Sequence, residues 1–435
     1  MKKTLLLVGT LLCILPALAQ EAQESQETHQ FSINARHWTR GEWRDGGMEN
    51  NDGKDMALFV MSSTMLSFDF QYKGLEFMFA PKHTGVWGAK GSGGINLEQG
   101  WVSLTHKSGL FFKVGRQYFA YDDERIIGTD DWVMTTSRHD ALKMGLERGR
   151  HKLHLLFAYN QNDDNTNGGT YYTDGAQPYK LMQTLWYHFD PWPQLGASLL
   201  FMNTGMQDLK VKDVDLTCYQ QLYGAYLDWH AAPFGVQASY YRQMGRTEYE
   251  LPIHAWMASV EAAWQVDPRL RANAGYFHMS GDPLFYVPPE GELGMMQKTK
   301  VRGFNPIFGS HHEFYGAMDF FYVSTYYGGN TPGLQDWHAG VQWSPLPSLN
   351  VTAAYHYLAT SVVIQENHKR GLGHELEFST SWKIMKDVSL SAGYTFMHGT
   401  ETMKILKRSS SDNKNRLHWA WIMLSVTPEF FKVKW

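Results

Sequence analysis

Apolar and polar side chains alternate strictly along several stretches of this chain. The clearest stretch is 388–396, where every second residue is apolar and the residues between are serine, glycine or threonine. Successive side chains of a β-strand point to opposite faces, so this pattern predicts strands with one apolar and one polar face. The same alternation recurs at 66–72, 256–265, 349–357 and 375–383. The pattern therefore predicts an all-β protein whose strands face two different environments.

Tight turns rich in Gly, Pro or Asp join these strands in pairs. Eight are recognisable, at 73–74, 108–109, 148–150, 190–193, 231–233, 266–268, 344–347 and 384–387. With one further strand at each end, they predict about 18 strands and place both termini on the short-turn side. Short periplasmic turns and long extracellular loops are typical of bacterial outer-membrane barrels. The predicted fold is therefore a transmembrane antiparallel β-barrel.

Composition agrees with a barrel that has a wet lumen. The mean hydropathy is −0.39 although 14% of the residues are aromatic. After the first twenty residues there is no apolar run of eighteen or more residues, so we do not expect helices that span a membrane. An aromatic-rich soluble β-sandwich would have a similar composition, but the alternation and the turn asymmetry favour the membrane barrel.

The two ends of the chain carry their own signals. Lys2 and Lys3 precede the apolar run Thr4–Leu15, and an A-x-A site ends at Ala19. We therefore expect residues 1–19 to be a secretory signal peptide and 20–435 to be the barrel. Cys218 would then be the single remaining cysteine, so no internal disulfide is expected.

The last strand has two possible ends. Pro428 cannot donate a hydrogen bond to a strand ladder. The preferred interpretation is therefore a final strand from Leu417 to Val426, and the alternative is a bulged strand that reaches Trp435.

Charge restricts the class of partner. The formal charge is −4, and it becomes −6 without the two signal lysines, with 37 basic against 43 acidic residues. This balance argues against nucleic-acid binding, which favours a strongly basic face. The late loops are basic, and we expect them to contact lipopolysaccharide phosphates or to attract a polyanionic solute. Periplasmic partners are not indicated.

Two segments resemble the alginate-export family of outer-membrane β-barrels. The first is Gly115-Arg116-Gln117, followed by Tyr121-Asp122-Asp123-Glu124-Arg125-Ile126-Ile127-Gly128 and Asp131-Trp132; the second is Phe304-Asn305-Pro306, followed by His312-Glu313-Phe314-Tyr315-Gly316-Ala317-Met318-Asp319. They are nearly two hundred residues apart, so the resemblance spans most of the chain. It implies an 18-stranded outer-membrane pore.

The first segment supplies the candidate site residues. In the family, matching arginines and carboxylates line the constriction, which makes Arg116 and Arg125 candidates for the lumen. Arg116 interrupts an apolar row, so it either turns inward at a bulge or lies at the membrane interface. The associated candidates are Asp122, Asp123, Glu124, Arg138, Asp140 and, from the second segment, Asp319. The other interpretation is an ion-pair lattice that only rigidifies the loop.

One connection is exceptionally long and extends over residues 280–333. Loops of this length are usually functional or carry structure of their own. Its portion Phe314 to Val323 is aromatic and apolar. We therefore expect it to fold into the barrel or to cap it.

Another loop contains a metal-like pattern. Asp163, Asn165, Asn167 and Asp174 fit D-x-N-x-N-G-x5-D, which is close to an EF-hand calcium loop. A calcium site and a solvated polar loop both remain open, and no other cofactor is expected.

The predicted function is a non-enzymatic outer-membrane pore that passes a hydrophilic solute by passive diffusion. An anionic solute or a polysaccharide is included in this prediction. No G-x-S-x-G, H-E-x-x-H or Walker A motif occurs. An enzyme barrel of the phospholipase or deacylase type and a plugged structural or adhesive barrel remain the alternatives. Solute identity, transport direction and oligomeric state stay open.

Overall fold

The computed structural model describes residues 28–46, 56–91, 93–129, 132, 137–162, 172, 178–210, 216–282, 299–306, 308–319, 331–364, 368–407 and 415–435. Its strands are β1 (Gln30–Asp45), β2 (Ala57–Tyr72), β3 (Leu75–Val86), β4 (Gly94–Thr105), β5 (Leu110–Gln117), β6 (His139–Arg148), β7 (His151–Tyr159), β8 (Leu181–Trp192), β9 (Leu195–Gln207), β10 (Thr217–Ala231), β11 (Phe234–Arg246), β12 (Pro252–Asp267), β13 (Leu270–Met279), β14 (Leu334–Leu346), β15 (Leu349–Ala359), β16 (Gly371–Met385), β17 (Val388–Gly399), β18 (Arg416–Val426) and β19 (Glu429–Lys434). Consecutive strands from β1 to β18 pair antiparallel, and β1 also pairs with β18 and with β19. The sheet is thus a closed barrel, which confirms the predicted all-β fold of 18 strands plus one extra strand.

The extra strand corrects one prediction about the C-terminus. β18 ends at Val426, as preferred, but the chain resumes after Pro428 as β19 and pairs with the start of β1. Trp435 then exchanges backbone hydrogen bonds with His29 at 2.8 and 3.1 Å. The preferred end of β18 at Val426 is therefore confirmed, but β18 is not the last strand, and the residues beyond it form the separate strand β19 instead of one bulged strand that reaches Trp435. Proline removes only one N–H from the ladder, and the residues beyond it pair normally.

All eight predicted tight turns overlap turns that join consecutive strands. Gly109 illustrates why the turn residues matter. Its φ is +89°, and a Cβ at this position would overlap the carbonyl oxygen of Glu147. Only glycine fits such a turn without strain. Nine longer connections between the described strands lie at the opposite end of the barrel.

The barrel has its large apolar side chains outside and a second apolar cluster inside. Leu199, Ile422 and Val114 are each more than half exposed on the outer surface. A lipid-facing band of this kind is required in a membrane barrel. The buried cluster instead includes Phe119 and Phe304, which belong to connections and not to strands. The packed core of the molecule therefore lies in the lumen.

Helical structure in the described residues is limited to short pieces. A single turn of 3-10 helix covers His311–Glu313, and α1 covers Glu401–Leu406. Thr400 caps α1 by accepting a hydrogen bond from the backbone of Met403. In the part of the chain that the structure describes, no helix has the length and apolar character needed to cross a membrane.

Candidate functional site in the barrel lumen

Two long connections meet inside the barrel. We call them the first inserted segment (118–129) and the second inserted segment (304–319). Ile127 and Phe308 form a parallel backbone bridge between them. The N–H of Gly128 donates to the carbonyl oxygen of Phe308 at 2.7 Å. The two stretches that resemble one family in sequence are thus one structural unit.

This unit spans the lumen from wall to wall. Trp186 of β8 donates to Asp122 of the first inserted segment at 3.0 Å. The backbone N–H of Met318 in the second inserted segment donates to Glu375 of β16 at 2.9 Å. β8 and β16 lie on opposite sides of an 18-stranded barrel. The described part of the long connection therefore enters the barrel, as expected, while residues 320–330 lie outside the described residues.

Apolar packing holds the unit in place. Eight of its side chains are buried in the cluster inside the lumen: Phe119, Tyr121, Ile126, Ile127, Phe304, Phe308, Tyr315 and Met318. They pack against inward-facing wall residues such as Leu156 and Met182, which are fully buried. Burying this apolar surface stabilises both connections against leaving the barrel.

A strained turn begins the first inserted segment. Asp122 and Glu124 have φ values of +56° and +61°, which are uncommon for residues with a side chain. The Glu124 carboxylate accepts hydrogen bonds from the backbone N–H and hydroxyl of Thr129, at 2.9 and 3.1 Å, and from the hydroxyl of Ser310, at 3.1 Å. Because Ser310 belongs to the second inserted segment, Glu124 joins the two segments.

Arg125 lies at the centre of the unit. Its side chain is 5% exposed and pairs with Asp123 at 3.1 Å. Its guanidinium carbon lies 3.8 Å from the ring centre of Phe314 and 5.0 Å from that of Phe277. Burial by itself would lower the pKa of Arg125, but Asp123, together with Tyr315 and Glu261, more than offsets this and raises the pKa. Arg125 is thus a permanent cation held between a carboxylate and two aromatic rings.

Asp122 is a half-buried carboxyl that accepts hydrogen bonds from the barrel wall. It accepts hydrogen bonds from Trp186 at 3.0 Å and from the hydroxyl of Tyr241 at 3.4 Å. Burial raises the pKa of Asp122, against the lowering effect of hydrogen bonds such as that from Trp186. Its side chain also lines the main cavity of the lumen.

Arg116 and Asp140 occupy a different position from the one proposed by resemblance. Arg116 is the second-last residue of β5. It lies two positions after the exposed Val114, so both side chains are on the outer face of the strand. It pairs with Asp140 on β6 through two hydrogen bonds of 2.9 and 2.7 Å, with side chains 30% and 51% exposed. The lumen assignment is corrected for these two residues, because the strand has no register shift that would turn Arg116 inward.

Arg138 belongs to a buried ion cluster near the end of the strands. It donates to Glu98 at 3.2 Å, and Lys82 pairs with the same carboxylate at 2.9 Å. Tyr118 adds a hydroxyl donor at 2.7 Å. The carboxylate of Glu98 therefore connects β3, β4 and the start of the first inserted segment.

Asp319 orients a stacked group of rings. It accepts two hydrogen bonds from Nδ1 of His312, at 2.7 and 2.9 Å. The imidazole of His312 stacks on Trp132 with ring centres 4.3 Å apart, and the guanidinium of Arg40 lies 3.8 Å from the same indole. Asp319 thus holds the His312 ring in the orientation in which it stacks on Trp132.

Arg40 and its charged neighbours on β1 form a part of the lumen that was not predicted from the sequence. Arg40 pairs with Glu42 at 2.7 Å, and Glu42 also accepts from Arg44 at 2.9 Å. The signal was present, because these charged residues recur at every second position of a strand and so share one face.

Among the described residues, the lumen contains two large cavities. The larger has a volume of about 670 Å³ and extends from the inserted segments toward the short-turn side. Seven of its described lining residues are carboxylates and two are permanent cations, Arg125 and Lys152. The carboxylates are Asp122, Asp123, Asp228, Glu261, Glu313, Asp336 and Glu377. The smaller cavity, of about 350 Å³, is lined by Arg36 and Arg40, and Glu313 lines both.

The four residues of the predicted calcium loop are Asp163, Asn165, Asn167 and Asp174. All four lie outside the described residues. The calcium site therefore stays a prediction.

Solved structures with the same fold support the barrel assignment. OccK5 (OpdH) of Pseudomonas aeruginosa superposes with a TM-score of 0.59 at 12% identity, covering 93% of this chain and 98% of that chain. OprD of the same organism gives 0.60 at 11% identity, with 92% and 96% covered, and OpdL gives 0.60 at 11% identity, with 92% and 99% covered. At these identities the likeness shows the fold alone.

Sequence comparison identifies the family. No curated protein sequence matches the chain. The family model for alginate export matches residues 92–360, which is more than half of the chain and includes both inserted segments. The protein therefore belongs to the alginate export family and is a porin-like barrel of the outer membrane that passes solutes.

Proposed function

We propose that this barrel is a narrow, passive pore for small hydrophilic solutes that are neutral or cationic. The observation that carries this proposal is the 670 Å³ cavity beside the inserted segments, with seven carboxylates and two permanent cations among its described lining residues. Fixed charge of one sign in a wet and narrow passage raises the local concentration of solutes of the opposite sign. The volume lies in the range of about 300–1,000 Å³ that suits a single small ligand.

A second candidate solute is an anion or an anionic polysaccharide. Arg36 and Arg40 line the smaller cavity and favour this alternative. However, Arg40 is already paired with Glu42, and only 4% of its surface is exposed. We therefore rank the anionic solute below the neutral or cationic one.

The reversal potential of single channels in a potassium chloride gradient tests the proposal. We expect cation preference in the wild type and a weaker preference in Glu313→Gln, because Glu313 lines both cavities. Glu401→Gln is the matched control, since Glu401 is 75% exposed on α1 and lines neither cavity. Anion preference in the wild type would favour the second candidate, and an absence of any conductance would favour a plugged barrel.

An assay for phospholipase and deacylase activity separates the pore from an enzyme barrel. We expect no turnover by the folded protein in detergent micelles. Turnover that disappears in a folded variant of a lumen residue would contradict the pore proposal.

A further inference from the structure

Five titratable side chains form a row on the inner wall of the barrel. Carboxylates and imidazoles alternate along it in the order Glu261, His338, Asp336, His356 and Glu377. They come from four strands, β12, β14, β15 and β16, and all five line the 670 Å³ cavity. Glu377 also accepts a hydrogen bond from the backbone N–H of Ala317 in the second inserted segment, at 2.7 Å, so the row ends at the contact between wall and insert.

The strand register explains why the two imidazoles meet. His338 and His356 lie directly opposite each other in the β14–β15 ladder, so both side chains point into the lumen. Gly275 on β13 lies on the other side of His338. A Cβ at Gly275 would lie 2.5 Å from Nε2 of His338, so a side chain there would displace the imidazole. The missing side chain lets His338 reach over β13 to Glu261 on β12.

The orientation of the rings is typical of metal ligands. Nδ1 of His338 and Nδ1 of His356 lie 3.2 and 2.9 Å from the same oxygen of Asp336. The opposite nitrogens face carboxylates, with Nε2 of His338 3.7 Å from Glu261 and Nε2 of His356 3.4 Å from Glu377. Histidines that bind metal through one ring nitrogen usually donate a proton from the other to a carboxylate.

The ring nitrogens that do not face the outer carboxylates converge on one oxygen of Asp336. If each Nε2–H is directed at its outer carboxylate, both Nδ1 lone pairs face an oxygen of Asp336, and three acceptors then share one space. A cation between them relieves this repulsion. One ligand atom from each of Asp336, His338 and His356 lies within 4.8 Å of the other two. Tetrahedral zinc sites have bond lengths of about 2.0–2.1 Å, which places neighbouring ligand atoms about 3.3 Å apart.

We propose that Asp336, His338 and His356 bind a divalent transition-metal ion such as Zn²⁺ in the lumen cavity. Two imidazoles and a carboxylate suit zinc, copper, nickel or cobalt, whereas calcium and magnesium prefer all-oxygen sites. The side chains of His338 and His356 are 14% and 12% exposed, so an ion reaches them from the cavity. With three protein ligands, at least one coordination position faces water.

Cobalt and zinc titrations of the folded, tag-free protein in detergent test this proposal. We expect about one Co²⁺ per chain, detected by ligand-field absorption bands, and displacement of Co²⁺ by Zn²⁺ in calorimetry. His338→Gln and His356→Gln should each weaken binding by more than about tenfold, and Glu261→Gln by about 10–100-fold. Ca²⁺ should not displace the cobalt.

His188→Gln is the matched control. His188 lines the same cavity and contacts Ser198 and Asp190, but it belongs to no group of three ligands among the described residues. We expect this variant to bind Co²⁺ as the wild type does. Migration on unheated gels confirms that each variant is folded. Absence of cobalt binding in the wild type, or unchanged binding in a folded His338→Gln/His356→Gln double variant, would overturn the proposal. Either result would leave the proposed pore function intact, because the cation preference rests on the whole cavity lining and is measured separately as a reversal potential in metal-free protein.

Discussion

Arg116 and Arg125 are only nine positions apart in the sequence, but their environments are opposite. Arg125 is buried against Asp123 and stacks on Phe314 inside the lumen. Arg116 lies on the outer side and forms a two-pronged, partly exposed pair with Asp140. Removing one partner of a buried ion pair is far more destabilising than removing one partner of an exposed pair. Mutation of Arg125 therefore tests the stability of the inserted segments, whereas mutation of Arg116 tests whether the outer pair influences ion selectivity.

We predict that Arg125→Gln disturbs the inserted segments and that Arg116→Gln does not. Loss of the buried partner should cost about 3–5 kcal/mol, whereas loss of the exposed pair should cost about 0.2–1 kcal/mol. Single-channel recordings should show larger or noisier conductance for Arg125→Gln. Arg116→Gln should keep the wild-type ion selectivity, and a changed reversal potential in this variant would show that Arg116 does face the solute.

Asp122 gives a prediction about pH. Its pKa is raised by burial, so the folded protein binds this proton more tightly than the unfolded chain does. The stabilising contribution is fully present below the unfolded value of about 3.9 and is lost as pH rises through the folded value. Relative to Asp122→Asn, the wild type should therefore become more heat-resistant as pH falls from 7 to 4. Gel-shift temperatures measured across this range would contradict the prediction if the difference between the two proteins stayed constant.

At the level of elements, strands and turns were predictable because each depends on local pattern. The alternation in 388–396 specifies β17, and the turn at Gly109 needs only its own glycine. The inserted segments were predictable only in outline, because the contact between Ile127 and Phe308 depends on the closure of the whole barrel. The pairing of His338 with His356 depends on the register of the β14–β15 hairpin, and this register includes a shift between Trp343 and Leu346 that the alternation of side chains did not indicate.

Deleting residues 310–327 should widen the pore. The described part of this stretch packs across the lumen and carries Tyr315 and Met318, which are buried in its core. Conductance in a planar bilayer should rise, since the deletion removes side chains from the passage. The control is a shortened connection at Gly88–Gly91. Its described residues are exposed and lie outside the buried cluster, so conductance should stay unchanged. An unchanged conductance after the first deletion would show that this stretch does not restrict the passage.

At the scale of the whole molecule, closure of the barrel is the main source of stability in lipid. Each of the strands β1 to β18 is paired on both sides, and the seam consists of β1 with β18 and β19. An unpaired backbone group in hydrocarbon costs several kcal/mol, so a closed barrel should resist SDS until it is boiled.

Ending the chain at Val426 should weaken this closure. It removes β19 and leaves Gln30–Asn34 of β1 without its partners on that side. We expect the truncated protein to assemble poorly or to lose its fast-migrating gel form at a lower temperature. Trp435→Phe, which keeps the ladder and a terminal aromatic ring, should behave as the wild type. Equal heat resistance of the truncated and full-length chains would contradict the role assigned to β19.

The junction between the inserted segments also has a consequence for the order of assembly. Ile127 and Phe308 come from halves of the chain that are about 180 positions apart, yet they share a backbone bridge. Contacts between distant residues form late, because the ends of a long loop must first be brought together. Strands β6 to β13, which lie between the two segments, must therefore be in place before the passage narrows. A newly inserted barrel would pass through a wide, leaky stage and become selective only in its last folding step.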